Sequence, residues 1–443
     1  MSEAQSGVAE SAALSVAPAQ SASFAVRWYV LIMMCSVYTL SIADRYVVST
    51  ILDPIKADLH LSNLGVAFTT AWPLALFYVF MGFPLSWLID RHSRRKIIAV
   101  CLVAWSVMTT LCGLARNTLQ FALTRVGVGV GEAGGTPGAS SLLSDYFPAS
   151  RRAMALTVFS LGAPIGAFIG YQVAGTINDI YGWRAVFFAL GVPGVLVGAA
   201  IWLTVREPPR GCLDAGDEGV APSIAETMRF WWSQRSAVHL MIGSALCALW
   251  GWGLMYWTQA FVQRTYNMTP GAAAQVTSYA HLVGGSVATI VTGWLMGRPA
   301  MADARRIMWL LGAGTFIATI ASGVAYYTRD LRVATVMFWI FIPAIYFYIG
   351  PCFGLLNNLA QCRMRAMFCA MTLFLANVGN LVITPPLIGK LNDWFAAANY
   401  SQADALRLAM LCIVPTGFWA TVHYFIAARD IEKDQVRART FPY

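Results

Sequence analysis

The chain has 443 residues, of which 58% are hydrophobic and only 12% charged, and it carries a formal net charge of +9. Soluble domains carry about 25% charged residues, so the composition excludes a soluble enzyme with a single anchor and points to a polytopic membrane protein. The basic residues lie in short clusters between apolar runs, a topology pattern and not a nucleic-acid one, and the nine cysteines show no CxxC or Cys/His ligand spacing, which implies neither metal nor disulfide framework.

Residues 1–25 are rich in Ala and Ser, lack a basic stretch leading into an apolar core, and are expected to be a disordered tail. Twelve apolar runs of helix length follow, at 26–52, 63–89, 95–115, 118–146, 152–178, 183–205, 236–262, 271–297, 306–327, 333–360, 364–391 and 405–428. The longest polar joint falls between spans six and seven, so we expect two six-helix bundles, 26–205 and 236–428, a linker at 206–235 and a tail at 429–443. Pro208, Pro209 and Gly211 stop span six, and Ser223 through Trp232 can form a short amphipathic helix lying on the membrane. Pro73, Pro137, Pro164, Pro343, Pro351, Pro385 and Pro386 lie within or near spans and permit kinks.

Of the 30 Lys and Arg residues, 20 fall on the side that holds both termini and the linker, and 8 on the other. The positive-inside rule makes the richer side cytoplasmic, so both ends of the multi-pass chain are expected inside. The two halves look duplicated. An offset of 213 maps Leu142-Leu143 to Leu355-Leu356, Asp145 to Asn358, and Arg152-Ala153-Met154 to Arg365-Ala366-Met367. Paired halves of this kind place a substrate site near the midplane, at their interface.

Charged residues inside the spans carry the chemistry. Each costs about 2.5–3.5 kcal/mol or more at membrane depth, so such residues face a bundle interior and mark a pathway. Span one holds Asp44 and Arg45, followed by Tyr46; span four holds Arg125 and Glu132 among Gly127, Gly129, Gly131, Gly134, Gly135 and Gly138. Glycines at that density let a neighbouring helix approach closely. At about 1.5 Å rise per residue, Asp44 and Arg125 lie roughly level and Glu132 near the middle. Arg125 and Glu132 are seven residues apart, about two turns, too far to pair well with each other. An Asp44–Arg125 contact across spans one and four is therefore predicted, with Glu132 left in an apolar, glycine-lined spot. A carboxylate that alternates between an Arg and apolar surroundings takes up and releases a proton, which makes Asp44 and Glu132 candidates for proton coupling. Alternatively, Glu132 with Arg45 or Arg125 binds a zwitterionic or anionic headgroup directly; the two roles can coexist.

The stretch Gly82 to Lys96, GFPLSWLIDRHSRRK, closes span two and opens span three. It resembles the loop signature of the major facilitator superfamily, with Pro84 and Ser93 in place of more usual residues and Asp90 and the basic run kept. The resemblance implies the major facilitator fold and a cytoplasmic gate at Asp90, Arg91, Arg94 and Arg95. Asp145 and Arg152, seven apart at the next joint, match another charge pattern of the superfamily. Asp44-Arg45-Tyr46, the run 125–152 and the REPPRG exit at 206–211 resemble the spinster branch in particular. In that branch animal members export sphingosine-1-phosphate or move lysophospholipids, and bacterial relatives are treated as proton-coupled transporters. The resemblance implies a buried acid and arginine at Asp44 and Arg45, and a span-four pair at Arg125 and Glu132.

Spans seven, eight, ten and eleven supply aromatic and neutral polar groups, with no interior charge. Tyr46, Tyr256, Trp257, Tyr279, Tyr346, Asn357 and Asn377 are candidate cavity residues, and His281 reads as a packing histidine. A charged half facing an aromatic half suits an amphipathic ligand. The expectation is a secondary transporter working by alternating access, coupled to protons, that moves a lipid-like or amphipathic molecule of lysophospholipid or sphingoid type. A small organic anion or drug is the alternative substrate, and a non-transporting receptor the alternative class. No nucleophile–base pair, metal spacing or phosphate loop points to an enzyme. We expect no cofactor, the proton as coupling ion, membrane lipids and the substrate as partners, no nucleic acid, and a monomer.

Overall fold

The computed structural model describes residues 23–208, 223–296, 298, 301, 303–361 and 364–440. Most of the predicted N-terminal tail and the middle of the linker lie outside these residues.

Among the described residues, twelve helical spans are present. Span one is Phe24–Thr50, span three Arg94–Cys112, span six Trp183–Thr204, span seven Arg235–Tyr266 and span nine Ala304–Tyr327. Each of the other seven is assembled from two or three pieces. Among the described residues, ten helices are long and apolar enough to cross a membrane. The two spans that fall short are span four, diluted by Arg125, Glu132 and its glycines, and span eight, diluted by small and polar residues.

Proline sets most of the breaks. A proline lacks the N–H that the carbonyl four residues earlier needs, and its ring crowds that carbonyl. Pro137 accordingly stands four residues after the break in span four, where Thr118–Glu132 gives way to Gly135–Tyr146. The continuous helix predicted over 118–146 is thus two helices, hinged directly after Glu132. Pro73 stands two residues after Ala71, where Asn63–Thr70 gives way to Trp72–Arg91 in span two. Pro164 and Pro351 each stand three residues after a break, at Leu161 between Ala149–Ser160 and Gly162–Tyr181 and at Tyr348 between Leu331–Phe347 and Ile349–Leu359. Pro415 begins the second piece of span twelve, Gln402–Ile413 and Pro415–Thr440. Spans eight and eleven each contain a π-helical turn, Ala280–Gly285 between Pro270–Tyr279 and Ser286–Met296, and Val378–Ile383 between Arg365–Asn377 and Thr384–Ala397.

The span-four glycines serve the close approach predicted for them. A Cβ on Gly131 would lie 2.7 Å from Trp105 Cβ and 2.9 Å from the Cys101 carbonyl, and one on Gly129 would collide with the Leu74 backbone. Span four is thereby pressed between spans two and three. Span one packs on span five, span three on span six, and spans seven and nine on span twelve.

One expectation about the ends changes. The tail predicted at 429–443 continues span twelve as helix to Thr440. It is docked: Asp434 accepts from the Ser236 N–H at 2.8 Å and the Ser236 hydroxyl at 2.5 Å, and Arg437 donates to the Ser233 carbonyl at 2.8 Å. A carboxylate at a helix N-terminus satisfies free N–H groups and the helix dipole together. The short linker helix forms as predicted, over Ile224–Trp232, started by a reciprocal Ser223–Glu226 capping box.

Candidate functional site

Spans one and four cross where their charges lie. Arg125 Nη1 donates to Asp44 Oδ2 at 2.8 Å, the contact predicted from helix rise, and both residues are 2% exposed. The Thr109 hydroxyl donates to Asp44 Oδ1 at 2.8 Å. The prediction for Glu132 is corrected. It is buried, but not alone: Arg45 donates to its Oε2 through Nε at 2.9 Å and Nη2 at 2.8 Å. The count of backbone rise weighed Asp44, Arg125 and Glu132 and left out Arg45, whose long guanidinium arm reaches Glu132. The other oxygen, Glu132 Oε1, is buried with no hydrogen-bond partner among the described residues. The Arg45 guanidinium also sits 4.5 Å over the Tyr78 ring, and its side chain is 21% exposed.

That exposure opens into two adjoining cavities between the halves. One of about 80 Å³ is lined by Arg45, Tyr46 and Ser49 from span one and Trp252, Tyr256 and Asn380 from the other half. One of about 40 Å³ shares Arg45, Tyr256 and Asn380 and reaches Thr70 and Arg125. Spaces of this size hold a few waters.

The predicted lining residues divide. Tyr46 and Tyr256 line the cavity, and the Tyr256 hydroxyl bonds Thr70 across the halves. Trp257 does not: it is fully buried and donates to the Pro385 carbonyl at 3.0 Å, packing spans seven and eleven together. Tyr279 is on an exposed face against Phe168. Tyr346 stands one layer back, 2.7 Å from His281 Nδ1, while His281 Nε2 is buried without a partner. Asn357 and Asn377 are half-buried and line neither cavity. Asn380, three residues beyond Asn377, takes that place.

At the face where span one begins, Arg94 is the hub. It is buried and pairs with Asp145, with Glu207 Oε1 at 2.9 Å and with the Ser141 carbonyl at 3.2 Å. Glu207 also accepts from the Ser93 hydroxyl at 2.9 Å and the Arg95 N–H at 2.8 Å. Burial alone would raise the Glu207 carboxyl, but these hydrogen bonds and the Arg94 charge outweigh it and hold the group below the usual carboxylate range. Glu207 was missed as a site residue, although an isolated acid at the exit of span six, opposite a basic loop, was the available signal. Arg95 donates to the Val205 carbonyl at 2.9 Å, Arg152 to the Ser144 carbonyl at 2.8 Å, and Arg91 lies 4.2 Å over Trp87. Asp90 ends span two one residue before Arg91; its side chain lies outside the described residues.

The opposite face is clasped between halves. Arg264 of span seven pairs with Asp53 and donates to Asn63 Oδ1 at 3.0 Å. Asp393 of span eleven accepts the Leu64 N–H at 2.8 Å, the Asn63 N–H at 3.1 Å and the Asn63 amide at 2.7 Å, capping the start of span two. Asp179 accepts the Thr269 hydroxyl at 2.8 Å and the Gly271 N–H at 3.0 Å. The molecule can thus separate its halves at this face only by breaking a group of charge-assisted hydrogen bonds.

The sequence profile described as Major Facilitator Superfamily matches residues 34–384. An MFS-type efflux pump of Mycolicibacterium smegmatis is 29% identical over 413 residues, 92% of this chain and 94% of that one. A probable galactarate/D-glucarate transporter of Bacillus subtilis is 34% identical over 205 residues, 44% of each chain. Among solved structures, a bacterial homolog of the human lysosomal transporter Spinster, inward-facing and unoccupied, superposes with a TM-score of 0.79 at 29% identity, covering 93% of this chain and 99% of that one.

Proposed function

The chain belongs to the Major Facilitator Superfamily as a spinster-like transporter, and from that premise we propose that it moves an amphipathic anion or zwitterion by alternating access, coupled to protons through Asp44 and Glu132. The observation that carries this reading is Glu132 itself. One oxygen holds Arg45 beside the cavity and the other is buried with no partner. A proton on Glu132 removes the negative charge that ties Arg45, and the released guanidinium takes the acidic headgroup. Proton and anion then bind together. Deprotonation re-forms the Arg45–Glu132 pair and expels the anion. Asp44 and Arg125 form the deeper pair behind it, steadied by Thr109.

The aromatic wall of Tyr46, Trp252 and Tyr256 supports an apolar portion in the ligand. The alternative substrate, a small organic anion, is favoured by the probable sugar-acid transporter among the relatives. The excess of basic residues at the face holding the linker supports a cytoplasmic location for that face and both ends, with the protein in a bacterial inner membrane.

The test uses purified protein in liposomes with a trapped pH dye. Lysophospholipids, sphingoid bases and small organic anions are added in turn to wild type, Asp44→Asn and Glu132→Gln. Proton movement triggered by an amphipath in the wild type and lost in both variants is the expected result. If labelled substrate crosses equally in all three proteins without proton movement, the coupling claim falls and a facilitator remains.

A further inference from the structure

Beside the cavity, span eleven departs from regular geometry for a reason legible in its covalent structure. Pro385 and Pro386 have no N–H, so the carbonyls of Leu381 and Val382 lose their helical donors. The chain answers with the π turn Val378–Ile383, a widening that recurs at functional sites. The freed Val382 carbonyl is taken from the other half of the molecule, by Trp72 Nε1 of span two at 2.7 Å. The Thr384 hydroxyl takes the Gly379 carbonyl at 2.9 Å and the Leu249 carbonyl at 3.1 Å. The turn is thus pinned to span seven and to the opposite half.

Asn380 rides on this turn and lines both cavities, as Arg45 does from the other half. Three of its polar neighbours are already engaged, the Tyr256 hydroxyl with Thr70, Arg125 with Asp44, and Arg45 in part with Glu132, while the buried hydroxyls of Tyr46 and Ser49 have no partner among the described residues. No described residue hydrogen-bonds the Asn380 amide. An amide has two N–H donors and two acceptor lone pairs, and at a half-buried site it gains most from a ligand that uses them.

We propose that Asn380 is a specificity-determining residue that hydrogen-bonds a hydroxyl or amide of the substrate adjacent to its acidic headgroup, which Arg45 holds. This deepens the reading above and rests on it: the substrate is a hydroxylated or amide-bearing acidic amphipath, not a bare alkyl acid. Because the turn that carries Asn380 is also bonded to Trp72, recognition of that group and contact between the halves share one segment of backbone.

The experiment measures binding to the purified full chain in nanodiscs with two probes of matched charge, 3-dodecyloxypropyl phosphate and 1-O-dodecyl-glycerol-3-phosphate, which adds one hydroxyl. Wild type is expected to prefer the hydroxylated probe about tenfold, the worth of one well-made hydrogen bond of 1.4 kcal/mol. Asn380→Leu removes that preference and leaves 3-dodecyloxypropyl phosphate affinity within twofold of wild type. Asn380→Ser, which keeps a small polar group, retains part of it. An unchanged preference in Asn380→Leu overturns the assignment while the anion reading stands. If neither phosphate binds wild type, or Arg45→Gln binds both as tightly, the anion reading itself fails and takes this inference with it. Unfolding midpoints of the two variants within a few degrees of wild type exclude a folding defect.

Discussion

Arg45 donates twice to one oxygen of Glu132, at 2.9 and 2.8 Å, and leaves the other oxygen buried without a partner. A carboxylate held in this way is paired but not saturated. Its pairing partner, not the acid, is the member of the pair that reaches the cavity.

Removing one member of a buried pair strands the other, at about 3–5 kcal/mol. Arg45→Gln strands the fully buried Glu132 and is expected to destabilise by about that amount. Glu132→Gln strands only Arg45, which is partly exposed and lies over Tyr78, and should cost less, on the order of 1–2 kcal/mol. The double variant should recover most of the Arg45→Gln loss. Unfolding of the four proteins in one detergent gives the cycle; additive losses would show that the pair does not couple.

Gly131→Val should destabilise by about 1–3 kcal/mol through overpacking. The new side chain has no room between Trp105 and the Cys101 carbonyl. Gly314→Ala, where a Cβ meets nothing within 4 Å, is the matched control and should be neutral or slightly stabilising, since alanine is the better helix former. Equal midpoints for the two would contradict the packing assigned to spans three and four.

The clasp at the face opposite the linker should set the resting conformation. Asp393→Asn keeps the shape of the side chain but loses the charge that three donors of Asn63 and Leu64 share. Combined with Arg264→Gln, it should lengthen the distance between spin labels at Ala57 and Ala397, both exposed near this face, in a measurable fraction of molecules. An unchanged distance distribution would assign the clasp to stability alone.

The Arg94 hub should weaken on the acid side. Glu207 is held below its ordinary carboxylate value in the folded chain, against an unfolded value of about 4.3. A depressed acid contributes stability that is complete above the unfolded value and lost as pH falls through the folded one. Wild type should therefore lose stability as pH drops below about 4.5, and Glu207→Gln should show less of that loss and a lower plateau at pH 7. Parallel profiles would remove Glu207 from the hub.

Fold class, twelve spans and the near-level placement of Asp44 and Arg125 were legible in the residues, because hydropathy and a fixed rise of about 1.5 Å per residue need no knowledge of neighbours. Side-chain reach is another matter. Backbone depth alone left Glu132 apolar and overlooked Arg45, whose long side chain spans the difference in height. It also ranked Trp257, Tyr279, Asn357 and Asn377 with Tyr46 and Tyr256, since helical periodicity in a span without charges does not say which face meets the other half.

What the sequence determined by itself was therefore a membrane bundle with charged residues on spans one and four, prolines where helices must yield, and glycines where helices press together. Each follows from local chemistry: the cost of charge in hydrocarbon, a missing N–H, a missing Cβ. That Glu132 meets Arg45, that Asn380 and not Asn377 faces the cavity, and that Asp393 caps span two were decided only by tertiary structure. Those outcomes depend on π turns, hinges and contacts between residues more than 300 positions apart, and the free energy that selects them comes from packing whole spans against one another.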